Sequence, residues 1–378
     1  MEALLPRAGY AGLSEYAYLN QASLGLIPIA SRTAMTAFLV DVAQHGNVKM
    51  SDAAETVVLD DLRGAAGSLL DIPKDAVAVL GGASEGLGQI AAMLATPNGE
   101  VVLVESDFPS VTYPWLGAQM RMGMRIRWVA DAAATSLTEE IIEAVSRDTS
   151  VVCFSAVQYA TGTSVDVRSV VERAAEVSAR VVVDVTQLAG AAPMSMRLWG
   201  ADALVCSGYK WLSAHGGVAL LALSDELSDM TPAIIGWKGT HDPFDFDAKN
   251  LRLAEGARRF ELSTMSYSSA VGLSASLAML RTAGFAQLAE HAASLAHQLV
   301  ELVEPVGWAP FRALDARDSC GHIVSLRHPA VRVGTVQAKL AADHGLVVSS
   351  RGGGIRVSLH GYNDSSDIER LADALKAL

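Results

Sequence analysis

Cysteine is scarce in this sequence: Cys153, Cys206 and Cys320 are the only three in 378 residues. An odd, widely spaced set, two of them inside apolar runs, builds neither a disulfide framework nor a zinc site. It suits a reducing cytoplasm, and no metal is expected. Long apolar stretches are also missing. No window approaches the ~20 residues a membrane helix needs, so no membrane partner is expected. The opening MEALLPRAGYAGLSEYAYLN has no basic cluster ahead of an apolar stretch and does not read as a secretory signal. Runs of Lys or Arg are absent and the formal charge is −12, which leaves no footprint for nucleic acid. No repeat occurs, and the only low-complexity tract is Ala132–Ala134.

What is present is ordinary for a packed globular protein: 51% hydrophobic and 19% charged residues. The length exceeds one simple core and predicts two domains. Short apolar, β-branched runs recur at Ala76–Leu80, Val101–Val104, Arg125–Ala130, Ser150–Val157, Val181–Val185, Ala203–Cys206 and Val218–Leu223. Helical patterns separate most of them: Ser84–Ala95, Leu137–Val145 with Ser136 and Glu139 as a capping box, and Val170–Ala179. Such alternation predicts an α/β fold with a mostly parallel, seven-stranded sheet covered on both faces. Pro28–Ala43 reads as a helix leading into it, and Asp242–Leu253 as an irregular loop. Beyond residue 250 the texture changes. Helices are expected at Gly272–Leu280, Phe285–Val303 and Ser366–Leu375, with short strands at His322–Leu326, Leu346–Ser349 and Ile355–Leu359. The expected division is an N-terminal segment 1–30 lining the site, a large domain 31–250, and a smaller C-terminal α/β domain 251–378 with a linking helix from about 272.

In an open parallel sheet, ligands bind beyond the carboxyl ends of the strands. Two strands there end in opposite charges. VVVDVTQ leaves Asp184 and Gln187; CSGYKW leaves Ser207, Tyr209 and Lys210. A semi-buried lysine loses stabilisation of its charge, so its amine becomes a nucleophile able to form a Schiff base. A carboxylate following Val181–Val183 needs a cationic partner. The protonated ring nitrogen of pyridoxal phosphate would serve, with Gln187 donating to the ring oxygen. The turn Gly81-Gly82-Ala83-Ser84-Glu85-Gly86 follows a strand and opens a helix, where backbone N–H groups can hold a phosphate. Ser84, Ser207 and Tyr209 add hydroxyls.

Taken together, Asp184-x-x-Gln187 and Ser207-Gly-Tyr-Lys210-Trp resemble the core of class V aminotransferase-type pyridoxal phosphate enzymes of fold type I, over nearly the whole chain. The group includes cysteine desulfurases, isopenicillin N epimerase-like proteins and kynureninases. Other segments match in family order. Tyr18-Leu-Asn-Gln-Ala-Ser-Leu-Gly resembles the segment lining the substrate pocket, implying Asn20, Ala22 and Ser23 there. Ser84 matches the phosphate-binding hydroxyl, with Ala83 and Glu85 beside it. Asp107-Phe-Pro-Ser is similar to the epimerase and kynureninase versions, implying that Phe108 stacks on the cofactor. Val157-Gln-Tyr-Ala-Thr-Gly implies Gln158 or Tyr159 near the ring oxygen or the substrate. Arg259-Phe-Glu-Leu-Ser-Thr resembles the segment whose Thr reaches the neighbouring subunit's cofactor, implying Thr264 or Ser263 in a homodimer with shared sites. Gly354-Ile-Arg-Val-Ser resembles the segment whose Arg binds the substrate α-carboxylate, implying Arg356. His215, Trp237 and Arg351 lie near these motifs without an assigned role.

The resemblance implies a small amino-acid substrate and chemistry at its α-carbon, with Lys210 moving the proton. The segment SSRGGGIR at 349–356 holds no cysteine to receive sulfur, which disfavours a persulfide-forming desulfurase. The favoured outcome is β-elimination, a carbon–sulfur lyase acting on a cysteine derivative or conjugate. The alternatives are an aminotransferase or an epimerase, then a kynureninase-like hydrolase or a non-catalytic fold relative. A nucleotide-binding protein using Gly81–Gly86 is a further alternative, but the GxGxxG and P-loop spacings are missing.

Overall fold

The computed structural model describes all 378 residues. The β-branched runs form strands because their side chains fill both faces of a pleated sheet. The seven strands are β1 (Val77–Leu80), β2 (Glu100–Val104), β3 (Arg125–Val129), β4 (Thr149–Ser155), β5 (Arg180–Asp184), β6 (Ala203–Ser207) and β7 (Ala219–Leu223). They pair in the order β1-β7-β6-β5-β4-β2-β3. Only β7 runs against its neighbours, β6 and β1. The edge strand β3 carries exposed Arg125 and Trp128, and a charged edge resists pairing with another sheet. Phe154, Val183 and Leu204 fill the core on one face, and Leu103, Val182 and Val205 that on the other.

Register brings the functional ends together. Ser155 pairs with Asp184, and Asp184 with Val205, so Ser155, Asp184 and Ser207 open on one rim. The loop from β6 back to β7 carries Lys210 over the same rim. There helix Ala83–Leu94 also begins, directly after β1.

A second, antiparallel sheet holds β8 (Ala309–Pro310), β9 (Ile323–Arg327), β10 (Ser349–Arg351) and β11 (Gly354–Ser358) in the order β10-β11-β9-β8. Helices Phe285–Val303 and Ser365–Lys376 cover it through Leu295, Leu299, Ile368 and Leu371. The segment that begins the chain belongs to this layer. Ala17 and Leu19 enter its core, Ala17–Tyr18 pairs in parallel with Leu346–Val347, and Asn20 bridges Ser358. Helix Tyr267–Ala283 packs Leu273 and Leu277 into the first layer's core. Between the layers, Arg312 Nη2 donates to Asp131 Oδ1 at 3.1 Å and Nη1 pairs with Asp318 at 2.8 Å, the three side chains largely out of solvent. Gly162 sits at the same junction with φ +76, and a Cβ there would stand 2.2 Å from the Ile323 carbonyl oxygen.

Several local expectations are corrected. Ser136 precedes helix Leu137–Ala144 but its side chain caps nothing, so the capping box does not form. The next helix is Val167–Ala175, capped by Asp166, three residues ahead of its expected start. Leu346–Ser349 divides into Leu346–Val347 and β10. Helices Asp60–Leu70, Pro109–Met122 and Val336–His344 were not anticipated. Of the two prolines in Pro109–Met122, Pro109 takes the first helical turn, where no N–H is needed, and Pro114 lies inside the helix.

Candidate active site

The rim encloses a cavity of about 220 Å³. One end is the turn Gly81-Gly82-Ala83-Ser84, where a helix start leaves N–H groups without intrahelical acceptors. Ser84 Oγ and Ser110 Oγ are 2.6 Å apart, both facing the cavity. Gly216, Gly217 and Ser207 also line it.

Asp184 lines the cavity from the end of β5. Its Oδ1 accepts the Thr186 N–H at 2.7 Å, and it belongs to no ion pair. Burial raises its pKa, opposed by Thr186 and by the positive charge of Lys210. Lys210 is 7% exposed. Burial lowers its pKa to about 8, against the attraction of Asp184 and aided by the charges of Arg356 and Arg351. Its Nζ lies 5.2 Å from the Phe108 ring centroid and 5.8 Å from that of Tyr209. Phe108 meets Tyr159 edge-on at 5.4 Å, and both rings line the cavity.

Arg356 is a third buried charge, a cation without a carboxylate. Nη1 donates to the Tyr159 carbonyl at 2.7 Å, and Nη2 to Asn20 Oδ1 at 3.3 Å and to Ser23 Oγ. Nε has no partner, and burial lowers the pKa to about 10. Ala22 contributes backbone alone: its N–H donates to Ser358 Oγ and its carbonyl accepts from Gln187 Nε2. Three buried charges unpaired within the protein require a ligand with complementary groups.

Some expected residues act differently. Glu85 does not line the cavity; its carboxylate folds back to the Gly81 N–H at 3.0 Å, bracing the turn. Gln158 turns inward, donating to Asp107 Oδ2 at 3.3 Å, so Tyr159 is the member of that pair at the cavity. Gln187 lines the cavity, but its Oε1 is taken by the Trp211 indole N–H at 2.8 Å. Ser263 and Thr264 lie outside it, on an exposed turn held by Trp237 and Glu55. Arg259 bonds the Ala254 and Asp229 carbonyls and serves the fold. His215 is exposed and bonded to the neighbouring Gly216 carbonyl.

Ser110, Ser155 and Thr186 also line the cavity, each at a strand end or inside a family motif, with no role expected from the sequence. Asp107 has no role of its own in the sequence expectation. It is fully buried behind Phe108, accepts the Ser155 and Phe108 N–H groups at 2.7 Å each, and is pushed up to about 6 by burial.

The residues fit pyridoxal phosphate. The glycine turn and the serine hydroxyls suit its phosphate, Asp184 its ring nitrogen, Phe108 its ring face and Lys210 its aldehyde.

The aminotransferase class-V family model matches residues 17–371. A probable cysteine desulfurase of Aeropyrum pernix is 28% identical over 317 residues, covering 77% of this chain and 76% of that protein. A kynureninase of Deinococcus radiodurans is 30% identical over 247 residues, covering 64% and 58%. Among solved structures, the cystine C–S lyase C-DES in complex with its product cysteine persulfide superposes with a TM-score of 0.89 at 19% identity, covering 97% of this chain and 99% of that one. A C-DES lysine-to-alanine mutant with glycine covalently linked to the PLP cofactor gives 0.90 at 19% identity, covering 98% and 99%. These structures share the fold.

Proposed function

We propose, from the premise that the chain belongs to the aminotransferase class-V family, that it is a pyridoxal-phosphate-dependent carbon–sulfur lyase acting on a cysteine derivative or conjugate. The carrying observation is that Asp184 and Lys210, both buried and neither ion-paired, face one cavity that also holds a helix start and two serine hydroxyls. The cofactor supplies an electron sink for the charge left when a bond at the substrate α-carbon breaks.

The chain's own residues do the rest. Asp184 keeps the proton on the ring nitrogen. The Gly81–Ser84 turn and Ser110 hold the phosphate, and Phe108 covers the ring. Arg356 takes the substrate α-carboxylate on its guanidinium, with Asn20 and Ser23 fixing the fork. Lys210, its pKa near 8, has a sizeable neutral fraction near neutral pH and can accept the α-proton. In the elimination the Cα–H and Cβ–S bonds break, the thiol leaves carrying a proton, and water releases pyruvate and ammonia.

The position of the cysteines favours release of a thiol over sulfur transfer to the enzyme. Cys153 and Cys206 are buried in β4 and β6, and Cys320 Sγ is directed at the Ile323 carbonyl at 3.8 Å. No thiol lines the cavity. The C–S lyase named among the structural neighbours supports the same reading. The kynureninase relatives keep a hydrolase as the second reading.

We extend the reading to a cytoplasmic homodimer. No helix is long and apolar enough to cross a membrane. Exposed Ile234, Ile235, Trp237, Phe246 and Leu251 gather on the segment beside the Ser263–Thr264 turn, and a second copy of the chain would cover them.

The test is product analysis by mass spectrometry. Cofactor-loaded protein is mixed with a set of cysteine S-conjugates and no keto acid. Pyruvate with free thiol is expected. Turnover only when a keto acid is added would overturn the lyase in favour of an aminotransferase.

A further inference from the structure

We propose that Gln21 is a positioning residue for Lys210, fixing the backbone from which the Lys210 amine enters the cavity. This rests on the reading of Lys210 as the amine that holds the cofactor. Gln21 does not line the cavity and touches neither substrate nor cofactor space. It is fully buried, and every hydrogen-bonding capacity of its side chain is used. Nε2 donates to the Lys210 carbonyl at 2.9 Å and to Ser213 Oγ at 2.9 Å. Oε1 accepts the Tyr362 hydroxyl at 2.7 Å and the Leu26 N–H at 3.3 Å. Two of these four partners are backbone groups of fixed polarity. Reversing the amide would set oxygen against the Lys210 carbonyl and N–H against the Leu26 N–H, so one orientation is enforced.

The loop it grips needs holding. Ser213 is a buried non-glycine residue at φ +53, a conformation that persists only where its surroundings over-determine it. Its N–H returns to the Lys210 carbonyl at 2.9 Å, so Gln21 bonds both ends of one tight turn. The same N-terminal segment presses on this backbone a second time. The Gly25 N–H donates to the Tyr209 carbonyl at 2.9 Å, and a Cβ on Gly25 would stand 2.2 Å from the Lys210 oxygen. Tyr362, from the C-terminal layer, completes the clamp. Three separate parts of the chain thus meet at Gln21. Misplacing a reacting group by about 1 Å costs roughly 100-fold in rate.

The experiment uses cofactor-loaded protein and two variants. Gln21→Leu removes the clamp; Gly25→Ala keeps the Gln21 side chain but sets a Cβ 2.2 Å from the Lys210 oxygen and 2.7 Å from Gln21 Nε2, wedging the clamp open. In both, kcat is expected to fall about 100-fold with KM within about 2-fold. The cofactor absorbance band should persist while the midpoint of its pH titration moves. Folded variants with wild-type kcat and an unmoved midpoint would overturn the proposal. Should Gln21→Leu fail to fold, Tyr362→Phe removes one hydroxyl and carries the same expectation at smaller amplitude; wild-type values there would overturn it as well. A Lys210→Ala protein that kept the wild-type band would overturn the underlying reading instead, by a separate signal.

Discussion

Lys210 carries a cost in the cofactor-free protein. Its folded pKa is about 8 against an ordinary 10.5. Below pH 8 both folded and unfolded states hold the proton, and the folded state bears the burial of a charge. Between 8 and 10.5 the unfolded state binds more protons, so stability rises with pH; above 10.5 the penalty is gone. The window is worth roughly 3 kcal/mol. Urea unfolding of the cofactor-free protein should therefore show Lys210→Met more stable than the parent at pH 7, with the gap closing by pH 10.5. A gap independent of pH would count against this. Arg356 offers a kinetic counterpart. Arg356→Lys keeps a charge but loses the fork that meets a carboxylate, so KM for the amino acid should rise by about 30-fold or more while kcat changes less. Steady-state kinetics separate the two. Lys210 was legible in the sequence because it follows an apolar run with a charge, whereas Arg356 was legible only through the resemblance of Gly354-Ile-Arg-Val-Ser to a family segment. Gln21 was not, because three of its four partners lie 189 or more residues away.

At the scale of elements, all seven large-sheet strands were legible, since β-branched runs leave few other conformations. Helix ends were less so. The helix behind Phe108 was hidden by Pro109 and Pro114, whose effect depends on where in the helix they fall. Contacts between layers were invisible for a different reason: Arg312 looks like any surface arginine until Asp131 and Asp318 are brought to it. Removing it leaves two buried carboxylates without a counter-charge. Arg312→Ala is expected to cost about 3–5 kcal/mol in denaturant unfolding, whereas an Arg312→Met, Asp131→Leu pair should recover part of that loss. A single variant no less stable than the parent would show that the ion pair contributes nothing net.

For the whole molecule, the proposed homodimer, if its sites are shared, makes a quantitative expectation. Lys210→Ala and Thr264→Ala subunits, each impaired alone, are unfolded, mixed and refolded together. Half of the dimers then pair unlike subunits, and each of those holds one site with both residues intact. Activity should return to about a quarter of the wild-type value if Thr264 serves the opposite subunit's site. No recovery would confine each site to its own chain. Only Asp242–Leu253 of this exposed segment reads as loop from the sequence; the exposure of Ile234, Ile235 and Trp237 ahead of it does not.

The pairing of Ala17–Tyr18 with Leu346–Val347, and of Asn20 with Ser358, also orders events in time. A ribosome makes residues 17–23 more than 300 residues before their partners. In that interval the large sheet can close and its cavity can form, while the strip bearing Asn20, Gln21 and Ser23 has nothing to dock on. A nascent chain halted before residue 346 would display the cradle and the Lys210 loop without the Arg356 grip. Competence would thus arrive in one step, when these two distant parts of the chain meet.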